Sequence, residues 1–460
     1  MLRCFIFHHR VDRPILNFIK NLSNRLKGIR NGPACKIYPC TEHSISRSQI
    51  SDDALKVLSR LKQAGFKAYL VGGCVRDLLL GREPKDFDVV TDARPEQIKS
   101  VFRNCRLIGR RFRLAHIYFG RNVVEVATFR GADSNGDRVV ENGRLLRDNV
   151  YGTLEEDVWR RDFSVNALYY NADDFSVVDF VGGMEDHDKG VLRLIGNPEQ
   201  RYREDPVRML RAIRFSTKLG FTIDPSCDRL IKNLSGLLKE IPPARLYDEC
   251  LKLFLSGYAV QTFELMRKYH LFEKLFPETE KCLAREKEGF PLIFLAKALE
   301  NTDIRIGQEK PVTAYFLLAA FLWEPVRARI EDQMQNGRNE FIVTQQAAGE
   351  VIRMQSKTTS LPRRVALPMR EIWCLQPRFK NRSGDRALKL LAHPRFRAAF
   401  DFMVLRAATG DVDPSLPEWW EELQGKDEAG QKKMLRTSNR RYQRRARFRP
   451  HGKESSGELI

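Results

Sequence analysis

The chain has 460 residues, 42% of them hydrophobic, and a formal net charge of +20 at pH 7. This length and apolar content exclude a wholly disordered chain and are sufficient for two or three domains with hydrophobic cores. The charge is concentrated at the ends, because residues 1–41 carry a net charge of +7 and residues 432–453 carry +10. We therefore expect a nearly neutral folded middle flanked by basic tails that bind polyanions.

The first 50 residues are predicted to form a basic N-terminal extension. Residues 1–30 contain a single acid, Asp12, and no apolar stretch that fits a secretory signal peptide. This pattern favours a flexible extension of a bacterial cytoplasmic protein, with organellar targeting as the alternative. The longest apolar run, Val312–Trp323, is too short to cross a bilayer and is predicted to be a buried helix, so no transmembrane segment is expected.

A short apolar run followed by two glycines opens the most informative region, YLVGGCVRDLLLG at residues 69–81. Tyr69–Val71 is predicted to be a β-strand, and Cys74–Leu80 is predicted to be a helix. Gly72 and Gly73 let the backbone approach a polyanion closely, because neither residue has a Cβ. Together with the unpaired N–H groups at the start of the helix, this turn predicts a site for phosphate groups.

Three carboxylates follow the glycine turn. In the run KDFDVV, side chains alternate across a predicted strand, so Asp86 and Asp88 face one side and their apolar neighbours face the core. This pair suits Mg²⁺, which is usually held by one or two carboxylates together with substrate phosphates. A second predicted strand, Val123–Thr128, carries a lone acid, Glu125, which is a candidate third ligand. The segment that follows, residues 131–149, is predicted to be a mobile loop.

These motifs occur in a fixed order with three more: RRDFSVNA at residues 160–167, DFVGG at 179–183 and EDPVRMLRAIRF at 204–215. The combination resembles the signature of the DNA polymerase β-like nucleotidyltransferase superfamily, in the branch that contains tRNA CCA-adding enzymes and bacterial poly(A) polymerases. The resemblance covers residues 50–260. It implies an α+β fold, in which a nucleotidyltransferase head with a mixed β-sheet and helices precedes an all-α neck and body. The expected domains are the extension (1–50), the head (51–195), the neck (196–265), the helical RNA-binding body (266–430) and a disordered basic tail (431–460).

The resemblance also implies roles for individual residues. Asp86 and Asp88 are expected to hold the metal and act in catalysis, and either Glu125 or Asp162 is expected to be the third catalytic acid. The R-R-D segment would hold the ribose and the triphosphate, where paired bonds from planar guanidinium groups neutralise phosphate oxygens. The expected nucleotide-binding residues are Gly72, Gly73, Arg76, Asp77, Arg160, Arg161, Asn166, Asp205, Arg208, Arg211 and Arg214.

The E-D-x-x-R segment has clear helix boundaries. Asp205 and Pro206 are typical of an N-cap and a first helical turn, and Gly220 is typical of a helix end, which predicts one helix over Val207–Leu219. An acid and an arginine near its start can discriminate bases by hydrogen bonds without a template. Judged from these residues alone, the alternative is a capped helix with a solvated arginine face.

Two arginine-rich segments are candidates for contact with RNA. The loop GRRFRLAH, at residues 109–116, has a form that resembles the poly(A) polymerase branch, and its last residue, His116, is expected to be a half-buried strand histidine satisfied by a neighbour. The C-terminal tail mixes arginines with aromatic residues, a composition that binds RNA through charge and stacking. The expected RNA-binding residues are Arg110, Arg111, Arg113, Arg440, Arg441, Arg444, Arg445 and Arg447.

The predicted function is template-independent addition of AMP to RNA 3′ ends, which releases pyrophosphate and promotes RNA decay. ATP is the expected substrate, and two Mg²⁺ ions, replaceable by Mn²⁺, are the expected cofactors. The expected partners are RNA 3′ ends and RNA-decay proteins, and the protein is expected to be a monomer. A tRNA CCA-adding enzyme is the closest alternative, because it would share every catalytic residue. A non-catalytic RNA-binding scaffold is a more distant alternative.

Overall fold

The computed structural model describes residues 35–109, 113–131, 139–141, 144–147, 150–284, 292–334 and 338–436. The chain divides into two compact units between Gly196 and Asn197. The first unit contains a mixed β-sheet with helices, and the described part of the second unit is almost entirely helical. The predicted α+β class, with a sheet-containing head followed by a helical region, is confirmed.

An eight-stranded sheet lies at the centre of the first unit. Its strands are β1 (Lys36–Tyr38), β2 (Ala68–Val71), β3 (Asp88–Thr91), β4 (Cys105–Ile108), β5 (Leu114–Phe119), β6 (Asn122–Thr128), β9 (Leu168–Asn171) and β10 (Ser176–Asp179). Three further strands, β7 (Val139–Glu141), β8 (Arg144–Arg147) and β11 (Val191–Leu192), lie outside this sheet. The order is β1-β10-β9-β2-β3-β6-β5-β4. Neighbouring strands are antiparallel except β3 and β6, which run parallel.

Five helices accompany this sheet in the part of the first unit that the structure describes. They are α1 (Asp52–Gln63), α2 (Gly73–Leu79), α3 (Pro95–Val101), α4 (Leu154–Arg160) and α5 (Gly183–Asp188), and short 3₁₀ turns occur at Arg47–Gln49 and Ser164–Asn166. The boundaries follow local signals in the sequence. Ser51 caps α1 as predicted, with its Oγ accepting the N–H of Ala54 at 3.2 Å, and Thr153 caps α4 in a capping box with Glu156.

The two faces of the sheet pack against different elements. On one face, Val89 and Val126 are buried together with residues of α1 and α3. On the other face, Val71 and Val90 pack with Val158 of α4. Because both faces are packed near the middle of the sheet, the ends of β2, β3 and β6 are held in fixed relative positions.

Besides a helical segment at residues 428–436, the described residues of the second unit form fifteen helices. They are α6 (Pro198–Glu204), α7 (Val207–Leu219), α8 (Pro225–Leu234), α9 (Pro243–Phe254), α10 (Ala259–Lys268), α11 (Phe272–Leu275), α12 (Pro277–Leu283), α13 (Leu292–Gly307), α14 (Ala314–Phe321), α15 (Trp323–Met334), α16 (Glu340–Gln355), α17 (Arg363–Phe379), α18 (Gly384–Leu391), α19 (Phe396–Ala408) and α20 (Ser415–Gln424). A short strand, β12 (Thr222–Ile223), and a 3₁₀ turn at Ser235–Glu240 complete it.

Some predicted boundaries agree with the structure, and others differ. Helix α7 spans Val207–Leu219 as predicted, and Gly220 follows it in the left-handed conformation with φ 76°. The run Val312–Trp323 is not one helix, because α14 ends at Phe321 and α15 begins at Trp323. The segment predicted to be a loop, residues 131–149, includes the antiparallel pair β7 and β8.

Two of the predicted domain limits fall within helices. The limit between neck and body, at residues 265 and 266, lies inside α10. The predicted basic tail begins at residue 431, but residues 428–436 are helical. Leu435 is 4% exposed and packs in a core cluster that includes Trp420. The folded part of the second unit therefore extends at least to Arg436, and the tail arginines beyond it lie outside the described residues. Of the extension predicted over residues 1–50, residues 1–34 lie outside the described residues, whereas β1 (Lys36–Tyr38) belongs to the main sheet and Ile45 is buried in its core.

Candidate active site

The glycine turn lies between β2 and α2. Gly72 has φ 77° and ψ −131°, a conformation that side-chain-bearing residues rarely adopt. A Cβ at this position would lie 3.7 Å from Nη1 of Arg161 and 3.9 Å from the carbonyl oxygen of Asn166. The turn therefore brings backbone close to two predicted nucleotide-binding residues that are distant in the sequence.

Two of the predicted acids pair at the start of β3 and β6, which run parallel among the described strands of the sheet. Asp88 is the first residue of β3, and its register partner on β6 is Glu125. Asp86 lies in a bend before β3. The prediction that Asp86 and Asp88 occupy one strand is wrong, because the strand begins at the second of the two acids. Both residues are exposed, so their carboxylates remain accessible to ligands.

The surroundings of Asp88 disfavour the negatively charged form of its carboxylate. Partial removal from water raises the pKa of Asp88 from 3.8 to about 6, the charges of Glu125 and Asp86 contribute to this rise, and Arg161 opposes it. These influences place Glu125, Asp86 and Arg161 within electrostatic range of the Asp88 carboxylate.

Glu125 has a second neighbour across the sheet. It pairs in register with His116 on β5, and Nε2 of His116 lies 3.2 Å from a Glu125 carboxylate oxygen. The His116 side chain is 23% exposed. The prediction of a half-buried strand histidine satisfied by a neighbour is therefore confirmed, and that neighbour is one of the candidate acids.

A buried network holds Arg161 next to the glycine turn. Its Nε and Nη2 donate to Oδ2 of Asp157 at 3.1 and 3.0 Å, and its Nε also donates to the Tyr169 hydroxyl at 2.8 Å. The Tyr169 hydroxyl in turn donates to the same carboxylate oxygen at 2.7 Å. Burial raises the pKa of Tyr169, which keeps this hydroxyl protonated as a donor. The interactions with Tyr169 and Asp157 raise the pKa of Arg161 against the effect of burial.

Sequence analysis did not identify Asp157 or Tyr169 as part of the site. A signal for Asp157 exists in the sequence, since it lies four residues before Arg161 at the end of a capped helix, the spacing at which side chains on one helical face meet. Tyr169 lies on a separate strand, β9, and nothing in the local sequence indicates its partner.

A second buried network connects Arg76 to Asp162. Arg76 is 3% exposed, and its Nη1 donates to Oδ1 of Asn166 at 2.6 Å. Its Nε donates to Oδ1 of Asp77 at 2.9 Å. Oδ1 of Asp162 accepts the backbone N–H of Phe163 at 2.9 Å and the Asn166 amide at 3.4 Å. Four predicted site residues thus form one structural network beside the turn, and their contact with nucleotide stays a prediction.

Arg160 and Arg161 are adjacent in sequence but have different partners. Nη1 of Arg160 donates to the carbonyl oxygen of Gly131 at 2.8 Å. At this point two chain segments approach closely, since a Cβ on Gly152 would lie 2.3 Å from Cα of Gly131. Arg160 therefore contacts Gly131, which precedes the segment that contains β7 and β8, whereas Arg161 lies beside Gly72.

The predicted base-reading residues lie in the second unit, at the start of α7. Oδ2 of Asp205 accepts a hydrogen bond from Arg245 at 2.7 Å, a partner that sequence analysis missed. Arg208 donates to Glu204 at 3.2 Å and to the carbonyl oxygen of Arg201 at 2.7 Å. The guanidinium carbons of Arg211 and Arg214 lie 5.2 and 4.8 Å from the ring centroid of Phe215.

The predicted RNA-binding arginines are only partly described. Arg113 is exposed and forms an ion pair with Glu96. Arg110 and Arg111 lie outside the described residues, as do the tail arginines Arg440, Arg441, Arg444, Arg445 and Arg447.

The donor set at the acids fits a divalent cation that also binds substrate. Within the described ranges, no group of three or more His, Cys, Asp or Glu side chains is arranged to hold a metal ion. Asp86 and Asp88 supply oxygen ligands, which Mg²⁺ prefers, and substrate phosphates would have to supply others. A cation would also offset the burial and the neighbouring negative charges that together raise the pKa of Asp88. Among the helices that the structure describes, none is long and apolar enough to span a membrane.

Three family models match the chain. The model described as poly A polymerase head domain matches residues 68–193, the probable RNA and SrmB-binding site of polymerase A matches residues 220–283, and the polymerase A arginine-rich C-terminus matches residues 336–453. The first of these contains every candidate acid and the glycine turn.

Named relatives and solved structures agree with these matches. Poly(A) polymerase I of Salmonella typhi is 48% identical over 88% of this chain and 89% of its own length. A CCA-adding enzyme of Lactobacillus helveticus is 33% identical over 55% of this chain and 65% of its own length. The structure of a tRNA nucleotidyltransferase complexed with a primer tRNA and an incoming ATP analog has a TM-score of 0.55 at 26% identity, covering 80% of this chain and 98% of that one.

We expect Tyr169→Phe to lower the free energy of unfolding by ~1–2 kcal/mol, because it leaves the buried Asp157 without one of its hydrogen-bond donors. Tyr170→Phe is the matched control, since the buried Tyr170 hydroxyl has no hydrogen-bond partner and lies on the next residue of the same strand. Urea unfolding of both variants measures the difference. Equal losses of stability would contradict the role assigned to the Tyr169 hydroxyl.

We expect Asp88→Asn to stabilise the metal-free protein in a pH-dependent manner. Because the folded-state pKa of Asp88 is about 6 and its ordinary value is 3.8, ionisation is less favourable in the folded chain. The resulting loss in the free energy of unfolding is absent below about pH 4, grows up to about pH 6 and is complete above that pH. At pH 8 the free energy of unfolding of the variant should exceed that of the parent protein by ~1 kcal/mol, because partial exposure of Asp88 lets solvent screen its charge.

Thermal unfolding in EDTA at pH 4 and pH 8 tests this expectation, and the measurement at pH 4 is the internal control. A variant that is less stable than the parent protein at pH 8 would show that the Asp88 charge is favourable in the metal-free fold.

Proposed function

The chain belongs to the poly(A) polymerase family, and we propose that its first unit catalyses template-independent addition of AMP to RNA 3′ ends with Asp86, Asp88 and Glu125 as the catalytic acids. The activity follows from relatives named poly(A) polymerase I that match over most of the chain. The assignment of the acids rests on one observation above all: the parallel register of β3 and β6, which pairs Asp88 with Glu125.

Glu125 is favoured over Asp162 as the third acid. Glu125 is the register partner of Asp88 and the neighbouring acid with the largest effect on the pKa of Asp88. The Asp162 carboxylate accepts hydrogen bonds from Phe163 and Asn166, which tie it to the backbone and to the Arg76 network. We assign Asp162 the role of positioning that network beside the turn.

Asp86 and Asp88 would hold two Mg²⁺ ions, with Mn²⁺ as a substitute, in company with the phosphates of ATP. A bound ion supplies positive charge that stabilises the attacking 3′ oxygen and the departing pyrophosphate. The reaction forms a bond between the RNA 3′ oxygen and the α-phosphorus of ATP and breaks the bond from that phosphorus to the bridging oxygen of pyrophosphate. Catalysis of such a transfer consists mainly of positioning and charge stabilisation.

Arg161 is suited to orient the triphosphate. Its guanidinium lies beside Gly72, where the backbone leaves room for an anion, and its orientation is fixed by Asp157 and Tyr169. Gly73, Arg76, Asp77 and Asn166 are proposed to support the turn, since Arg76 is buried and bonded to Asp77 and Asn166. Arg160 is proposed to act at the base of the β7–β8 segment.

Base choice is assigned to the start of α7. Asp205 would accept from the exocyclic amine of adenine, and Arg208 would donate to a ring acceptor. Arg245 holds the Asp205 carboxylate at 2.7 Å. Arg211 and Arg214, which lie against Phe215, would add positive charge on the same helix.

RNA is proposed to bind the second unit and the basic tail. The family models for an RNA-binding site and for an arginine-rich C-terminus support this assignment. Arg110, Arg111, Arg113 and the tail arginines would contribute affinity that does not depend on sequence and falls with salt. We further propose a monomer that acts in the bacterial cytoplasm and is recruited by RNA-decay proteins.

Nucleotide choice on defined primers tests the function. With ATP alone and an unstructured RNA, we expect long adenylate tails that depend on Mg²⁺ and are absent for Asp88→Asn. With CTP alone, we expect little incorporation. Addition that stops after CCA on a tRNA lacking its 3′ end would instead identify a CCA-adding enzyme, and binding of RNA without Mg²⁺-dependent incorporation would identify a scaffold.

We expect Glu125→Gln to lower the single-turnover rate of AMP addition by about 100-fold, because it removes a charge that acts on the reacting groups. Asp162→Asn is the matched control and should mainly raise KM for ATP and lower Tm, because its partners are structural. RNA affinity should be unchanged in both variants. A larger loss of rate in Asp162→Asn than in Glu125→Gln would reverse the assignment of the third acid.

A further inference from the structure

Four polar residues form a continuous row across the sheet, beginning at the acids. Asp88 pairs in register with Glu125, Glu125 pairs with His116, and His116 pairs with Arg106 on β4. Paired residues on neighbouring strands project from the same face. Since strands lie ~4.8 Å apart, the row extends for ~14 Å from Asp88 to the edge of the sheet.

The face that carries this row is accessible, although the opposite face of the same strands is buried. Ile108 and Val123 are 37% and 40% exposed, whereas Ala115 and Ile117 on the opposite face are fully buried. Tyr118, the register partner of Val123, is half-buried. We refer to this region as the open sheet surface, and it consists of Arg106, Ile108, Leu114, His116, Tyr118 and Val123.

The open sheet surface combines the groups that bind single-stranded nucleic acid. The guanidinium carbon of Arg106 lies 5.5 Å from the ring centroid of Tyr118. The rings of His116 and Tyr118 are 6.3 Å apart. Aromatic rings and guanidinium planes provide surfaces on which unpaired bases stack, and an arginine also attracts the phosphate backbone.

We propose that the open sheet surface binds the 3′-terminal nucleotides of the RNA substrate, with a base stacked against Tyr118 and a phosphate near Arg106. This inference rests on the proposed function, because the reaction requires the RNA 3′ oxygen to reach the acids at one end of the row. The nucleotides that precede it in the RNA then follow the row towards β4.

The order of the strands separates this surface from the site assigned to ATP. The glycine turn and Arg161 lie at the end of β2, which neighbours β3 on one side. Strands β6, β5 and β4 follow β3 on its other side. The two substrates would therefore approach Asp88 from opposite sides. Phosphoryl transfer requires such an arrangement, because the attacking and leaving oxygens lie roughly in line.

Primer kinetics on the full chain test this proposal. Tyr118→Leu should raise KM for an unstructured RNA primer by about 10-fold, the effect expected for loss of one stacked base, and leave KM for ATP unchanged. Tyr118→Phe keeps the ring and should behave as the parent protein does. Arg106→Gln should raise primer KM by about 3-fold and weaken its dependence on salt.

Arg60→Gln is the matched control, since Arg60 on α1 also lies over an aromatic ring, at 6.0 Å from Phe102, and belongs to neither site. A primer with 4-thiouridine next to its 3′ end should cross-link to the peptide that contains Tyr118. The thermal unfolding of every variant establishes that it is folded.

The outcomes separate this proposal from the proposed function. If the parent protein adds no nucleotide, the proposed function fails, and filter binding and cross-linking of the same primer then decide whether the surface binds RNA. If the parent protein polymerises and Tyr118→Leu and Arg106→Gln match Arg60→Gln in primer KM, the surface does not bind the RNA 3′ end. A rise in KM for ATP alone also overturns the proposal, because it would assign the surface to the nucleotide.

Discussion

The parallel pairing of β3 with β6 is the constraint on which the candidate active site depends. This pairing fixes Asp88 opposite Glu125, while the residues that follow them, Val89 and Val126, are buried as partners in the core. Packing of the apolar pair therefore determines the separation of the charged pair. Because the charges repel each other, the fold holds an arrangement that is unfavourable without a counterion, which is a common property of functional sites.

Arg161 supplies positive charge near these acids, and its guanidinium is held in one orientation. Arg161 is bonded to the buried carboxylate of Asp157, so the pair is close to neutral and its main contribution is geometric. A guanidinium fixed in this way opposes the rise in the pKa of Asp88 without removing it. Glycine is required at position 72 by its backbone angle of φ 77°, which side-chain-bearing residues rarely adopt.

The sequence was sufficient to predict elements whose signals are local. Helix α7 was predicted to the residue because a capping acid, a proline and a terminal glycine mark its ends. The apolar run Val312–Trp323 was wrongly predicted to be one helix, because its hydrophobic residues continue across a break between two buried helices. The hydrophobic periodicity does not reveal such a break. The strand at Asp88 was extended too far because a D-x-D pattern fits both a strand and a bend that leads into one. The partners of Arg161 and Asp205 depend on tertiary pairing, so Tyr169 and Arg245 had no local signal.

The geometry also indicates which groups must determine the different products of poly(A) polymerases and CCA-adding enzymes. The fold is shared with a tRNA nucleotidyltransferase at only 26% identity, and the row from Asp88 to Glu125 would serve the chemistry of either enzyme equally well. Tail length and nucleotide choice therefore depend on groups that hold the two substrates on either side of that row. On the RNA side, stacking on a sheet surface is tolerant of sequence, because every base has a face to stack. Such a surface allows the same contacts to form again after each added nucleotide, as repeated addition to a growing end requires.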